Sequence, residues 1–414
     1  MTSGLLERRP ALRPDVLRSA ALRRGTSVVH LVKDPCGGQS FEVDVKEHFL
    51  MARLDGTRTL GEIGEEYARH FGRRLGEANW RQLLGLLWER RLLTGAEPPE
   101  PAAAPEPERS TLLKGTLRLT ADAAATTDRL YRAVGFALSP WFVVPLVLLA
   151  LGMEVYVALH LGVFTDGALE LFRQPATLLA VGTLLWVSTA LHELAHGVVA
   201  RHFGGKVGEI GLRWHLPMVF MYCKVENYLY LPTRWAQAAT AAAGTVMNLA
   251  FLLPFLLLRS VLPDGDPARE PLAGLLLVGS VLALTNLVPL PPLDGYKILG
   301  HCLGMADYAT ESRRFLRLLA ARAVRRGPGV AGYPRAARIA YASYGLGAAL
   351  LVGGSGVGGV LLCHHLLAGR YGVWAAVVPG LLIVALVAVT GPWAGRRPAP
   401  SSSATTSSAT RKKS

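Results

Sequence analysis

The chain has 414 residues, of which 51% are hydrophobic and only 18% are charged, and its mean hydropathy is +0.30. This composition argues against a soluble protein of this size and agrees with a membrane protein. The excess of 14 positive charges could indicate nucleic acid, but its distribution matches membrane topology, so we expect no nucleic-acid partner. The four cysteines are scattered and lack the paired spacing of a metal site.

The first 95 residues predict a small domain ahead of the apolar segments. Met1–Pro14 lacks the apolar core of a secretory signal, so we expect this region to lie in the cytoplasm. Two β-prone runs, Ser27–Lys33 and Gln39–Val43, flank a turn with Pro and Gly and predict a hairpin. Three stretches with helical periodicity follow, which are Lys46–Leu54, Thr59–Phe71 with Thr59 as the N-cap, and Ala78–Leu93. Residues 1–95 therefore predict an α+β winged-helix-like domain.

One stretch of this domain carries a more specific resemblance. Phe49–Ile63, with its core Leu-Asp-Gly-Thr-Arg-Thr-Leu, resembles the PqqD-like domain, which recognises leader peptides in pathways of ribosomally made, modified peptides. The resemblance implies that a leader peptide adds as a strand to the hairpin edge. Winged helices also bind DNA, and that remains the alternative for this domain alone.

Residues 96–135 predict a linker and a juxtamembrane segment. Gly95–Ser110 holds five prolines and four glutamates, a composition that cannot pack a core and predicts a semi-extended linker. Thr111–Leu138 is partly amphipathic and predicts either a polar approach to the membrane or a solvated connecting helix.

Residues 136–395 predict a polytopic α-helical membrane domain with about six spans. The segments 161–175 and 263–271 are expected to be loops, whereas Tyr296–Arg338 holds nine Lys or Arg against two acids. The positive-inside rule therefore predicts a multi-pass cell-membrane protein with cytoplasmic N- and C-termini. Residues 396–414 predict a disordered tail. The six predicted spans are 140–160, 176–200, 237–262, 272–292, 339–367 and 373–393.

Three polar side chains interrupt the second predicted span. His192 and His196 are four residues apart, so a helix places both imidazoles on one face, where they can hold one metal ion with Glu193 beside them as a general base. Ionisable groups at bilayer depth indicate a functional site, and hydrogen bonding to neighbouring helices is the alternative.

Two histidines and a water leave one zinc position open, which Asp294 can fill. This residue follows the Pro-rich run Asn286–Leu293, where the prolines break the fourth predicted span. A carboxylate after such a break, followed by Gly295, can turn inward toward a metal. An exposed aspartate in a turn at the membrane edge is the alternative.

These two motifs, in this order, resemble the site-2 protease family of intramembrane zinc metalloproteases over Pro140–Cys302. The resemblance implies that His192, His196 and Asp294 bind Zn²⁺ and that Glu193 activates the attacking water.

The segment between the motifs shows one further family feature. Ala243–Asn248 is similar to the glycine-centred helix of the family, although Thr245 stands where the family often has proline. Asn248 and Asn286 are candidates for orienting substrate or stabilising the oxyanion, with helix-to-helix hydrogen bonding as the alternative.

A hairpin is predicted over Lys206–Pro232, with Val219–Tyr222 and Tyr228–Leu231 as its β-prone runs. In the resembled family such a strand pairs with an unfolded substrate, because helical peptide bonds are shielded. A purely structural loop is the competing interpretation.

Several functions are compatible with these motifs. The leading hypothesis is a peptidase that removes the leader of a ribosomally synthesised modified peptide recruited by residues 1–95. Regulated cleavage of a membrane-tethered regulator, such as an anti-sigma factor, is the alternative within proteolysis. A non-catalytic membrane protein of peptide export or immunity is the hypothesis from another class.

Overall fold

The computed structural model describes residues 4–36, 38–95, 111–215, 218–323 and 330–390, and the chain divides into two units, residues 1–341 and 342–414. The predicted linker at 96–110 and the predicted tail lie outside the described residues. The strands are β1 (Leu17–Arg18), β2 (Leu22–Arg24), β3 (Ser27–Lys33), β4 (Ser40–Asp44), β5 (Lys114–Arg118), β6 (Lys206–His215) and β7 (Met218–Glu226). The helices are α1 (Val45–Met51), α2 (Leu60–Phe71), α3 (Glu77–Glu89), α4 (Ala123–Val134), α5 (Pro140–Leu159), α6 (Leu161–Leu171), α7 (Pro175–His202), α8 (Arg234–Val261), α9 (Arg269–Thr285), α10 (Asp294–Leu303), α11 (Tyr308–Ala323), α12 (Arg335–Tyr371) and α13 (Trp374–Thr390).

Residues 4–95, which we predict to form an N-terminal domain, contain the predicted hairpin and three helices. β3 pairs antiparallel with β4 along one edge and with the short strands β1 and β2 along the other. Thr59 is the N-cap of α2, as predicted, and shares a capping box with Glu62. α3 ends four residues earlier than predicted, because Arg91 adopts a left-handed φ of 56°. The helices and β3 enclose a core that includes Val32, Leu60, Ile63, Trp80 and Leu87.

The juxtamembrane prediction needs a correction. Thr111–Leu138 does not form one helical approach but contains strand β5 followed by α4. β5 pairs antiparallel with β6, opposing Thr116 to Arg213, and Arg118 forms an ion pair with Glu209 at 3.0 Å. Its partner strand begins almost ninety residues later, and local periodicity carries no record of such non-local pairing.

The hairpin after the second predicted span is present with different limits. β6 and β7 form it, and the sheet order is β5-β6-β7. Tyr228–Tyr230, predicted as part of the second strand, is instead a 3-10 turn. Asn227 precedes it with a φ of 56°, which ends the extended backbone. β7 is therefore the edge strand of this sheet among the described residues.

Within the part of the chain that the structure describes, four helices are long and apolar enough to cross a membrane. They are α5, α7, α8 and the stretch Arg335–His365 of α12. The remaining two predicted spans correspond to α9 and α13, which have 17 residues each. Six spans therefore stay a prediction.

The segment 161–175, predicted as a loop, contains helix α6. α6 packs closely on α9, because a Cβ at Gly167 would lie only 2.7 Å from the Cβ of Ala273. Phe164 on the same helix is fully buried. The burial of these residues explains why a segment too short to span a membrane is helical. The core around it includes Met153, Val157, Leu171, Leu252, Leu275 and Leu276.

Candidate metal centre

Three side chains from two distant parts of the chain converge inside the helical domain. The Nε2 atoms of His192 and His196 lie 3.1 Å apart. One carboxylate oxygen of Asp294, Oδ2, lies 3.0 Å from Nε2 of His192 and 3.2 Å from Nε2 of His196. All three residues are buried, with exposed fractions of 4%, 9% and 6%. The second histidine follows the first by one helical turn, as the sequence predicted.

This donor set fits a zinc ion. A tetrahedral zinc about 2.0–2.1 Å from each donor atom would hold the donors roughly 3.3 Å apart. The three observed separations fall just below this distance, so only small side-chain rotations are needed. Two neutral imidazoles and one carboxylate are also a donor set found at catalytic zinc sites, which keep a fourth position for water.

The turn between α9 and α10 delivers Asp294 to the histidines. α9 ends at Thr285, and the Pro-rich turn then leads to Asp294, which is the first residue of α10. The Gly295 N–H donates to the carbonyl of Asn286 at 2.7 Å. A Cβ on Gly295 would overlap the Leu287 carbonyl, so only glycine lets the turn close this tightly. The break predicted from the prolines therefore aims the carboxylate inward.

The outer nitrogens of the two histidines are held by α8. Nδ1 of His196 lies 2.7 Å from the carbonyl oxygen of Thr240, so it donates its hydrogen there and leaves Nε2 available to a metal. Nδ1 of His192 lies 3.1 Å from the amide nitrogen of Asn248, whose oxygen accepts from Ser188 at 3.1 Å.

A metal on Nε2 of His192 leaves the hydrogen on Nδ1, which then needs an acceptor. The Asn248 amide meets this need when its oxygen faces His192 and its nitrogen donates to the Ser188 hydroxyl, which differs from the present arrangement by an amide flip. Asn248, singled out as a substrate contact, is thus placed behind a histidine. Asn286 reaches the site through its backbone carbonyl, which binds Gly295.

Sequence reasoning did not identify Lys297 and Thr240, two residues that contact the proposed metal ligands. The Lys297 Nζ lies 2.8 Å from Oδ1 of Asp294, the oxygen that faces away from the histidines. Its spacing of three from Asp294 on α10 was the available signal. Thr240 was missed because its contact is made by a backbone carbonyl, which any residue type provides.

The glycine at the centre of the predicted helix motif has a steric role. A Cβ on Gly244 would overlap the imidazole of His192. The absence of a side chain therefore lets α8 approach α7 at the metal centre. The Thr245 that departs from the family pattern follows this glycine and is buried, with an exposed fraction of 2%.

Glu193 lies beside the donors and faces β7. Its Oε2 accepts a hydrogen bond from the backbone N–H of Cys223 at 3.2 Å, and Glu193 is only partly buried. Burial, together with the Glu193 charge, raises the pKa of the Cys223 thiol to about 12. The thiol stays protonated near neutral pH and adds no negative charge to the centre.

A second group of potential metal-binding side chains lies in the N-terminal domain, formed by Asp15, Asp34 and Cys36. The guanidinium of Arg13 lies 2.6 Å from Asp15 and 2.7 Å from Asp34. Because Arg13 bridges both carboxylates and offsets part of their charge, we interpret the group as a structural ion-pair cluster rather than a metal site.

Comparisons with known proteins agree with the geometry. Residues 180–264 match the profile of Peptidase family M50, a segment that includes His192, Glu193 and His196 but ends before Asp294. The chain is 31% identical over 124 residues to the protein named "Putative zinc metalloprotease sll0528" from Synechocystis sp.. The aligned part covers 29% of this chain and 30% of that relative.

No solved structure matches the chain at a significant level. The family profile and the curated relative both point to a metalloprotease, and zinc is the metal they indicate. The group formed by the two buried histidines, His192 and His196, and the partly buried Glu193 provides ligand atoms of the matching type. Residues 180–264 therefore match a domain of Peptidase family M50, the site-2 protease family.

Proposed function

We propose that the chain is a zinc-dependent intramembrane endopeptidase with His192, His196 and Asp294 as zinc ligands and Glu193 as the general base. The observation that carries this proposal is the convergence of three donor atoms, separated by 3.0, 3.1 and 3.2 Å, beside a partly exposed carboxylate. An ordinary helix-packing histidine needs one partner, whereas both Nε2 atoms here point at the same carboxylate oxygen.

Each residue has a distinct part in the reaction. Zinc, when bound, supplies a Lewis acid that polarises the scissile carbonyl and lowers the pKa of water. Glu193 takes the proton of the attacking water and passes it to the leaving amine. Thr240, Asn248 and Lys297 orient the ligands and leave the donor atoms facing one another.

The outer edge of β7 is suited to hold the substrate. The Val219 carbonyl accepts from Nε1 of Trp186 at 2.8 Å, and the Cys223 N–H donates to Glu193. Both groups therefore point away from β6, and in an antiparallel strand the backbone groups of Met221 between them point the same way. An extended substrate strand pairing at Met221 would lie close to Glu193. Such pairing supports cleavage of an unfolded segment, since a helical peptide bond is shielded.

The distribution of charge supports cleavage near the cytoplasmic face. His192 lies 17 residues after Pro175, or about 26 Å along α7, so the centre is close to the far end of this span. Asp294 lies two residues before the segment Tyr296–Arg338, which contains nine cationic residues. By the positive-inside rule we infer that this end of the domain, and both termini, lie on the cytoplasmic side of the cell membrane.

Two contacts between the N-terminal domain and the segment after β7 support the recruitment of a peptide to the centre. The Lys33 Nζ donates to the side-chain oxygen of Asn227 at 2.7 Å, and the Tyr230 hydroxyl donates to the Ser40 hydroxyl at 3.4 Å. Lys33 and Ser40 oppose each other at the tip of the β3–β4 hairpin. The start of β4 therefore lies beside the end of β7.

The directions of these two strands are compatible with one peptide. Among the described residues β4 pairs only with β3, so its second edge is available. A peptide antiparallel to β4 runs toward the contact at Ser40, and a peptide antiparallel to β7 runs away from Asn227. One extended chain can thus hold its N-terminal part on β4 and its C-terminal part at the metal centre. This polarity suits a leader peptide cut from the product that follows it, and we infer that substrate class.

The test uses the full chain in lipid nanodiscs with short precursor peptides encoded in the same genome. Wild type should cut one precursor in a zinc-dependent manner, and Glu193→Gln should not, as followed by mass spectrometry. If the protein cuts a membrane-tethered anti-sigma factor and none of the precursor peptides, regulated cleavage of a membrane-tethered regulator replaces the leader-peptide proposal. A protein that purifies from zinc-supplemented cells without stoichiometric zinc would contradict the enzymatic proposal and favour export or immunity.

A further inference from the structure

An open apolar groove of about 1000 Å³ lies between α5 and α8. Its walls are formed by aliphatic side chains and by two residues that leave room, Gly152 and Pro254. A Cβ on Gly152 would meet no atom within 4 Å. The groove is separate from the metal centre, because Arg259 at its end lies 11 residues beyond Asn248, or about 16 Å along α8.

One end of the groove is cationic, although its walls are apolar. Arg259, Ser260 and Arg269 line this end. Arg259 is only 7% exposed, and its Nε has no hydrogen-bond partner among the described residues. Its guanidinium carbon lies 5.1 Å above the ring of Phe164. Within the described part of the chain no carboxylate forms an ion pair with Arg259.

A buried charge without a counter-charge is costly, and an anion in the groove would remove that cost. The second cation, Arg269, is anchored by the Leu262 carbonyl at 2.6 Å and by Asp264 at 2.9 Å. Both contacts are made by its Nη1, so other donors of the guanidinium remain for a ligand. The Ser260 hydroxyl donates to the Leu257 carbonyl and can still accept one hydrogen bond.

We propose that this groove binds an acidic phospholipid, with an acyl chain along the apolar walls and the phosphate at Arg259 and Arg269. Charge complementarity decides the occupant: a neutral chain or another apolar helix would leave Arg259 buried and unpaired, whereas phosphate accepts hydrogen bonds from guanidinium groups in a bidentate manner. The position near the C-terminal end of α8 suits a headgroup, because helix ends of this length lie near the membrane surface. The lipid would fasten α5 to α8 along this groove.

Native mass spectrometry of the full chain tests this site. Detergent-purified protein is mixed with equal amounts of phosphatidylglycerol and phosphatidylcholine, and the retained lipid is counted after collisional release of the detergent. Wild type should retain phosphatidylglycerol about fivefold more, the scale expected for one arginine facing an anionic headgroup. Arg259→Gln should lose this preference. Gly152→Leu should lower the retention of both lipids, because its side chain fills the open space.

Arg173→Gln is the matched control, because this arginine near α6 is largely exposed and pairs with Glu170 at 3.0 Å. It should behave as wild type. Equal retention of the two lipids by wild type would overturn the proposal, and so would an Arg259→Gln protein that keeps the preference. A dimer that forms without lipid and loses its interface on Gly152→Leu would also overturn it, by assigning the groove to a second copy.

Discussion

The side-chain amide of Asn248 lies 3.1 Å from Nδ1 of His192, across the interface between α7 and α8. Removal of this amide leaves the ring without its orienting partner, so Asn248→Ala should weaken zinc binding by about 10- to 100-fold, the usual range for such contacts. Asn248→Asp keeps an acceptor for Nδ1–H and should retain most of the affinity.

Competition with a chelator of known zinc affinity measures this effect. Asn286→Ala is the control, since Asn286 contacts the site through its backbone. The zinc affinity of this variant should equal that of wild type. If Asn248→Ala binds zinc normally but turns over slowly, Asn248 acts on substrate instead of on His192.

The close approach at Gly244 predicts a steric phenotype. Gly244→Ala places a Cβ into the His192 ring, and such overpacking typically costs about 1–3 kcal/mol. We expect a lower thermal midpoint and substoichiometric zinc.

Gly182→Ala on α7 is the matched control, because a Cβ there meets no atom within 4 Å. A helical glycine without contacts should gain up to about 1 kcal/mol on replacement by alanine. Opposite shifts of the two thermal midpoints are expected, and equal shifts would contradict the packing argument.

Substitutions of the proposed general base and of a proposed zinc ligand should have different effects on zinc binding and activity. Glu193→Gln should keep zinc and lose activity by about 10²- to 10⁴-fold, since only proton transfer is removed. His196→Ala should lose both zinc and activity. Metal analysis of the purified variants, together with peptide cleavage, separates the two.

His202→Ala controls for the loss of a histidine from α7, because His202 contacts Tyr131 rather than the metal centre. It should keep zinc and turnover. A Glu193→Gln protein of normal activity would remove Glu193 from the mechanism.

The N-terminal domain should be sensitive to mild acid through His48. Burial, then the neighbouring His30 against which it stacks at 3.6 Å, lowers the pKa of His48 from 6.5 to about 4. The folded domain thus prefers the neutral ring, so its stability is complete above pH 6.5 and falls as the pH drops toward 4. Because His48 is half-exposed, we expect a loss of only about 1 kcal/mol.

Amide hydrogen exchange of the full chain measures this loss locally. After correction for intrinsic rates, β3 and α1 should open more readily at pH 5 than at pH 7. His48→Phe keeps a stacked ring without a titratable group and should remove most of the difference. An unchanged pH dependence in that variant would assign the effect to another group.

The sequence alone determined the features that depend on local spacing. Two histidines four apart lie on one helix face whatever surrounds them, and Thr59 with Glu62 forms a capping box from its own spacing. The length and hydropathy of the apolar runs predicted membrane-spanning helices. The position of Asp294 after a break in the helix could also be predicted, because proline lacks the backbone N–H that continues a helix.

Only the tertiary structure decided which distant groups meet. Asp294 reaches His192 across 102 residues, and the contacts of Asn248, Thr240 and Lys297 follow from how α7, α8 and α10 pack. The pairing of β5 with β6 and the helical form of α6 are decided in the same way. Packing of this kind depends on side-chain volume and on how closely two backbones approach, as at Gly244. The periodicity of a single segment carries no information about either quantity.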